Sequence, residues 1–393
     1  MKTLPVTTEA FFKRSVGVAE HFGFRNIDDL RKEATKKGTS VLGLGKCKSP
    51  DPQIEHHVLA HMLETCNEAM ELHKKQPLMF YTPSLVSHPT KPSVRISALT
   101  LNAVGTNDPL AEIVVIKSAM SILEELGIKN YRLRINSIGD SDSSARFLRE
   151  ASTQVRNNIN ELPREIANGM RSNPGATLAQ LFADNHAFAQ TLPSPLEFLT
   201  TPSRKYFKEV LELLENTEIK FELADRLYAD PNVYSHTIFE IVEPGEGEDD
   251  ETEVLARGGR YDELTRPYTR GTIPSTGIVL AVRTKDRRSS VGRPRRRKPT
   301  ACLIHIGREA RIRSIGIVET LRSEKIPIEQ CLHFERFSEQ MAYAQSQHTK
   351  YIIIMGQREA RDGVVLLRNS MDRSQRTVPI TDLPTVLRTL HTK

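Results

Sequence analysis

The sequence predicts an α+β fold, an antiparallel sheet with flanking helices, followed by a smaller C-terminal α/β domain. Three observations carry that prediction. After residue 299, apolar and amphipathic runs alternate as strand, helix, strand, helix, strand. Before residue 283, strand-like segments joined as hairpins lie among runs of helix, the order expected of an antiparallel sheet. Between the two lies RRSSVGRPRRRKP, with one apolar residue and two prolines, which reads as a linker.

In chain order, residues 1–75 are the least regular. RKEATKKGTSVLGLGKCKSPDP is mixed in charge and glycine-bearing, and reads as a loop or tail. Its GLGK is no phosphate loop, since that motif needs GxxxxGK[ST] and Lys46 is followed by Cys47. His56 to His73 reads as an amphipathic helix; His57 and His61 lack further ligands beside them, so no metal site is expected. LVSHPTKPSVRISALTLN reads as a hairpin. Asp108 to Gly127 is a strong amphipathic helix stopped by its glycine, and YRLRINSIG is the strand after it. Residues 144–198 are helix-rich, and Pro202 to Asn216 forms another helix. VYSHTIFEIVE and TEVLARGGRYDEL are hairpin strands joined by PGEGEDDE, a loop too acidic to be buried, and Pro274 to Val282 is a further apolar strand. Beyond the linker come strand ACLIHIG, helix Ala310 to Glu324, strand IPIEQCL, helix Ser338 to Gln347, then YIIIMG, GVVLLRN and QRTVPI. The division is 1–75, an N-terminal segment; 76–282, with a helical insertion near 144–198; a basic linker, 283–298; and an α/β domain, 299–393.

Composition excludes several classes. With 393 residues, 38% hydrophobic and 26% charged, the chain is globular, with two or three domains. No apolar run approaches the roughly 18 residues of a membrane span, and Met1 to Val6 lacks a signal peptide's apolar region, so a cytoplasmic protein is expected. Cys47, Cys66, Cys302 and Cys331 are scattered without CxxC spacing, which points to free thiols. The net charge of +6 conceals an asymmetry: residues 283–298 carry +8 and residues 299–393 carry +4, leaving −6 on the first 282. A polyanion is expected at the C-terminal end.

Several segments, in order, carry a resemblance. LNAVGTNDPLAEIVVIKSAMSILEELGIKNYRLRINSIGD, SPLEFLTTPSRKYFKEVLELLE, YSHTIFEI, ARGGRYDEL and PSTGIVLAV are similar to the aminoacylation domain of histidyl-tRNA synthetases. GREARIRSIGIVETLRSEKIPIEQ, AYAQSQHTKYIIIMGQREARDGVVLLRN and RTVPITDL are similar to that family's anticodon-binding domain. From about Gln76 onward the chain resembles a class II synthetase. The resemblance implies a six-stranded antiparallel sheet, a dimer, and a C-terminal domain that grips the tRNA anticodon stem.

The family's ATP-binding arginines do not line up. Its second motif carries Arg-x-Glu-Arg, whose first arginine meets the α-phosphate; here Lys91 and Arg95 are the cations of that stretch, among Pro89 and Pro92. Its third motif would set an arginine at the γ-phosphate. Aligned on Gly277, GIVLAVRT puts Thr284 there and Arg283 one residue early, a slip that turns a strand side chain to the opposite face. Lys91, Arg95 and Arg283 are the candidates for residual phosphate contacts. The family's histidine-specific arginine corresponds to Ala229, with Arg226 three residues too early. The resemblance retains a pocket wall: Tyr234, His236, Gly258, Gly259, Arg260, Tyr261 and Asp262, with His236 where the family has glycine.

A non-catalytic relative is therefore expected, with no catalytic residue, cofactor or metal, binding tRNA or other RNA, a protein partner, or both. Arg287, Arg288, Arg293, Arg295, Arg296, Arg297 and Lys298 are the expected RNA contacts. Two alternatives stay open: a divergent active histidine-tRNA ligase, needing ATP and magnesium, and a regulatory subunit of ATP phosphoribosyltransferase type.

Overall fold

Two sheets organise the chain, described by a computed structural model over residues 3–36, 77–87, 95–158, 162–245, 252–265, 272–284, 298–334 and 336–391. The larger sheet runs, in spatial order, β1 (Arg25–Asn26), β2 (Leu78–Ser87), β3 (Arg95–Val104), β8 (Ser275–Val282), β7 (Glu253–Arg260), β6 (Ser235–Glu243), β4 (Arg132–Gly139) and β5 (Phe221–Leu223). Its six central strands pair antiparallel, whereas β1 and β5 pair parallel with β2 and β4. The implied six-stranded sheet is thus widened to a mixed sheet of eight. The added edges are two and three residues long, too short to show a period of two in sequence.

Helices cover both faces. Against one lie α1 (Thr8–His21), α3 (Leu110–Glu125) and α7 (Thr201–Asn216); against the other lie α2 (Ile27–Lys36), α4 (Ser141–Asn157), α5 (Arg164–Ser172) and α6 (Pro174–Ala183). Helix α3 is buried on almost every side, because the sheet, α1, α7 and the C-terminal domain all pack on it. Its start is fixed by Asp108, whose Oδ1 accepts from the Leu110 amide at 2.9 Å, and its end by Gly127 at φ +91°. Helix α2 corrects one expectation: the segment read as loop begins as helix, through Lys36. Buried Ile27 and Leu30 anchor that helix to the sheet before the first glycine can stop it.

The smaller sheet has the order β10 (Ile328–Gln330), β9 (Ala301–His305), β11 (Tyr351–Met355), β12 (Val364–Asn369), β13 (Gln375–Pro379). The first three strands are parallel and the last two antiparallel. Helices α8 (Arg308–Ser323), α10 (Gln357–Asp362) and α11 (Leu383–His391) pack on one face, and α9 (Phe337–Ser346) on the other.

One apolar core runs from α1 and α3 of the large unit into α8 and β10 of the small one. Polar contacts cross the same junction: an Asp108–Arg311 ion pair, Ser121 Oγ donating to Glu319 at 2.9 Å, and His21 Nε2 donating to the Val318 carbonyl at 2.9 Å. The Gln330 side chain reaches the Phe22 carbonyl across Gly23, where a Cβ would stand 2.0 Å from Gln330 Nε2 and φ is +84°. Only glycine fits there.

Several readings lie outside the described residues: GLGK, Cys47, Cys66, the histidine-bearing helix, Lys91, most of the acidic loop, and the linker from Lys285 to Arg297.

Candidate functional site

The RGGRYD segment, which the resemblance assigns to a pocket wall, divides between the two faces of the large sheet. The cause is a break in register. Ser235 pairs with Arg260, but the next pair is Ile238 with Gly259, so His236 and Thr237 bulge out of the ladder. His236 takes φ +51°, and its ring packs on Tyr206 of α7 with centroids 5.3 Å apart. His236, which the resemblance places in the pocket wall beside Tyr234, is turned by the bulge toward the α7 side.

Arg260 is on that side too. At 1% exposure its Nε and Nη2 meet both Asp262 carboxylate oxygens at 3.2 and 3.1 Å, Nη1 donates to Tyr206 Oη at 2.8 Å, and Nη2 to the Thr106 carbonyl at 3.0 Å. Tyr206 donates its own proton to Glu112 Oε2 at 2.9 Å. Glu112 is wholly buried on α3, and burial pushes its carboxyl up to about 7 against the pull of Arg260. Burial likewise lowers His236. Asp262 also accepts from the Ser275 amide at 2.7 Å. Arg260 and Asp262 thus tie β7, β8 and α7 together and offer no free charge to a ligand.

Tyr261 faces the other way, into the apolar layer under α2, α4 and α6. It is fully buried, with its hydroxyl donating to Asn102 Oδ1 at 2.9 Å. The paired glycines are explained by strand packing: a Cβ on Gly258 would lie 2.2 Å from the Gly277 carbonyl oxygen, and one on Gly259 would lie 2.5 Å from that of Thr237.

On this face a cavity of about 520 Å³ opens between α6 and strands β6 and β7, with Tyr234, Gly258 and Ala229 in its lining. Its one arginine, Arg257, is bound to Glu240 at 3.1 Å, and Glu240, 3% exposed, also holds Arg134 at 2.8 Å. The other formally charged lining groups are acidic: Glu165, Asp184 and Asp230. Arg226 is used elsewhere, donating to the carbonyls of Ala189 and Leu192 at 3.4 and 2.5 Å.

Of the candidate phosphate contacts, the backbone of Arg95 and Arg283 lies at a different end. Register pairs Ser87 with Arg95 and Ser97 with Val282, so Arg95 and Arg283 share one end of the sheet. Gly258 pairs with Ile278, five residues from Arg283, or about 17 Å along the strand. Arg283 itself pairs with Thr3, and its carbonyl accepts from Leu4 at 2.8 Å. Thr284, at the family's arginine position, bonds Thr8 and Ser97 through hydroxyls at 2.6 and 3.2 Å. The strand positions of Arg95 and Arg283 are thus distant from Gly258 of the pocket wall. Of the expected RNA contacts, Lys298 is described, and it is exposed.

The described residues do not fit a nucleotide triphosphate with magnesium. The cavity's cation is already paired, its other charges repel phosphate, and no group of three His, Cys, Asp or Glu side chains among the described residues is placed to hold a metal. Cys302 and Cys331 are buried free thiols. No described helix is long and apolar enough to cross a membrane. Sequence reasoning missed Glu112 and Tyr206; the available signal was a lone acid in the apolar run LAEIVVI.

The anticodon binding domain family matches residues 300–390. The histidine–tRNA ligase of Anoxybacillus flavithermus is 28% identical over 283 residues, 71% of this chain and 67% of that protein. The corresponding ligase of Listeria monocytogenes is 28% identical over 296 residues, 74% and 68% of the two chains. Among solved structures, apo histidyl-tRNA synthetase of S. aureus aligns with a TM-score of 0.48 at 18% identity, covering 92% of this chain and 94% of that one. A structure described as an ATP phosphoribosyltransferase regulatory subunit/histidyl-tRNA synthetase from Bacillus halodurans C aligns at 0.42 and 15%, covering 89% and 94%. The chain is histidyl-tRNA-synthetase-like, with the class II type of sheet and a C-terminal anticodon-binding domain.

Proposed function

We propose that this histidyl-tRNA-synthetase-like chain is a non-catalytic cytoplasmic protein that binds tRNA through its C-terminal domain and uses neither ATP nor a metal. The observation that carries the reading is the electrostatics of the cavity face. Adenylation needs cations on the triphosphate, but Arg257 is engaged by Glu240, a carboxylate it shares with Arg134, and Glu165, Asp184 and Asp230 line the same space. Loss of one charged contact to such a transition state costs about 3 to 4 kcal/mol, and the resemblance finds three such contacts substituted or displaced. Binding to tRNA is supported by the domain match at residues 300–390, by the relatives' activity as tRNA ligases, and by the positive charge after residue 282.

Histidine-dependent ATP–pyrophosphate exchange on the purified protein, with and without tRNA, tests the first half. No exchange is expected from folded protein; exchange above background replaces this reading with the divergent ligase. Filter binding of tRNA across a salt series tests the second half. A steep fall of affinity with salt is expected, and absence of binding even at low salt removes RNA from the proposal.

A further inference from the structure

Four cations of the C-terminal domain without a carboxylate partner among the described residues gather around one hairpin. Lys350 precedes β11, Arg368 lies near the end of β12, Arg373 in the turn, and Arg376 on β13. Register gathers them: the Ser370 amide bonds the Lys350 carbonyl at 3.0 Å, Arg368 faces both Ile352 and Gln375, and Arg376 faces Leu367. Neighbouring strands lie about 4.8 Å apart, so the four residues occupy one end of three adjacent strands.

None of these four side chains makes an ion pair or hydrogen bond among the described residues. The arginines of α8 behave differently, each beside a carboxylate: Arg308 with Glu209, Arg311 with Asp108, Arg313 with Glu309 and Arg322 with Glu319. Arg358 and Arg388 are likewise paired, with Asp362 and Glu324. The hairpin's own acid, Asp372, is committed to the turn, accepting from the Ser374 amide at 2.8 Å and its hydroxyl at 2.6 Å.

The surface around them is open. Helices α8, α10 and α11 pack on the face that carries Val365, Leu367 and Val378, while α9 covers β9 and Ile352 on the other. Over β12 and β13 that second face leaves Leu366 and Arg368 half-buried and Gln375 and Thr377 exposed. The cations therefore ring the exposed end of the three strands, Arg368 on the open face and Arg376, paired with Leu367, on the opposite one, with Asp372 as the acid of the turn; such a spread matches the repeating charge of a phosphate backbone crossing that end better than a single small anion, which would call for donors converging on one point. We propose that Lys350, Arg368, Arg373 and Arg376 are the surface on which the C-terminal domain tracks an RNA backbone. The assignment rests on the RNA-binding reading above and adds where the phosphates sit.

The test uses the full chain and labelled bulk tRNA, with affinity measured from about 50 to 300 mM salt. The Arg368→Ala, Arg373→Ala, Arg376→Ala triple variant should bind roughly tenfold or more weakly, with its log–log salt slope reduced by about 2 to 3. A triple variant of paired arginines, Arg308→Ala, Arg313→Ala, Arg358→Ala, should keep the wild-type slope. A charge-conserving variant, all three hairpin arginines to Lys, should retain most of the affinity; thermal melts of each variant establish that it is folded. If wild type binds and the hairpin variant keeps both affinity and slope, the assignment falls while RNA binding stands. Equal loss in the Lys and Ala variants also overturns it, because charge then is not what the hairpin supplies. If wild type does not bind tRNA but binds phosphatidylserine vesicles, both readings fail together, and the patch is a membrane contact.

Discussion

Replacing Glu112 with glutamine should change how stability depends on pH, in a direction set by burial. Glu112 is fully enclosed between α3, Tyr206 of α7 and Arg260 of β7, and its carboxyl titrates near 7 instead of 4.5. At about 1.36 kcal/mol per pH unit, that displacement corresponds to roughly 3 kcal/mol. Below pH 4.5 both folded and unfolded chains are protonated and there is no penalty. As pH rises from 4.5 to 7 the unfolded chain ionises first, so wild type loses stability, and above 7 the loss is complete. The amide of the substituted side chain would keep an acceptor for the Tyr206 hydroxyl without a titrating proton. Relative to wild type, the Glu112→Gln protein should therefore gain about 3 kcal/mol between pH 4.5 and pH 8, whatever the fixed cost of the substitution. Urea unfolding of both proteins over that range measures the difference, in which Asp262 and His236, common to both, largely cancel. Parallel stability profiles would refute the reasoning, because they would mean Glu112 is ionised or solvated like an ordinary surface acid.

Other consequences follow from single contacts. Asp108→Ala removes the partner of Arg311, whose side chain is 10% exposed, and should cost about 3 kcal/mol or more in urea unfolding; Asp108→Asn, which keeps an acceptor for the Leu110 amide, should cost less. Gly258→Ala places a methyl 2.2 Å from the Gly277 carbonyl, forcing β7 and β8 apart; a loss of about 3 kcal/mol is expected, seen as a lowered urea midpoint. Tyr261→Phe withdraws the hydroxyl that donates to buried Asn102, and should cost about 1 to 3 kcal/mol in the same assay. An unchanged midpoint in either of the last two would show that the strands or Asn102 relax freely.

The elements that sequence made legible are those whose cause is local. Helix α3 announces itself by an amphipathic run with a glycine stop, the C-terminal domain by alternating apolar and amphipathic runs, and the charge asymmetry by counting. Retained and substituted positions relative to the synthetases are also properties of the string. Edge strands β1 and β5 were not legible, because two or three residues show no period and are ordered by their neighbours.

The site divides along the same line. Sequence alone determined that the far end of the chain is basic, and the chain's resemblance to the synthetases is what set Ala229, Thr284 and the residues from Lys91 to Arg95 against their ATP-binding pattern. Tertiary structure decided that a bulge sends His236 to Tyr206, that Arg260 meets Tyr206, the partner of Glu112, from 54 residues away in the chain, and that Arg257 is held by Glu240. It also separated the paired arginines of α8 from the unpaired ones of the β12–β13 hairpin. The reason is physical: residue identity sets which charges exist, but whether a charge is free depends on the distance to its nearest counter-charge and to water, which only the folded chain defines.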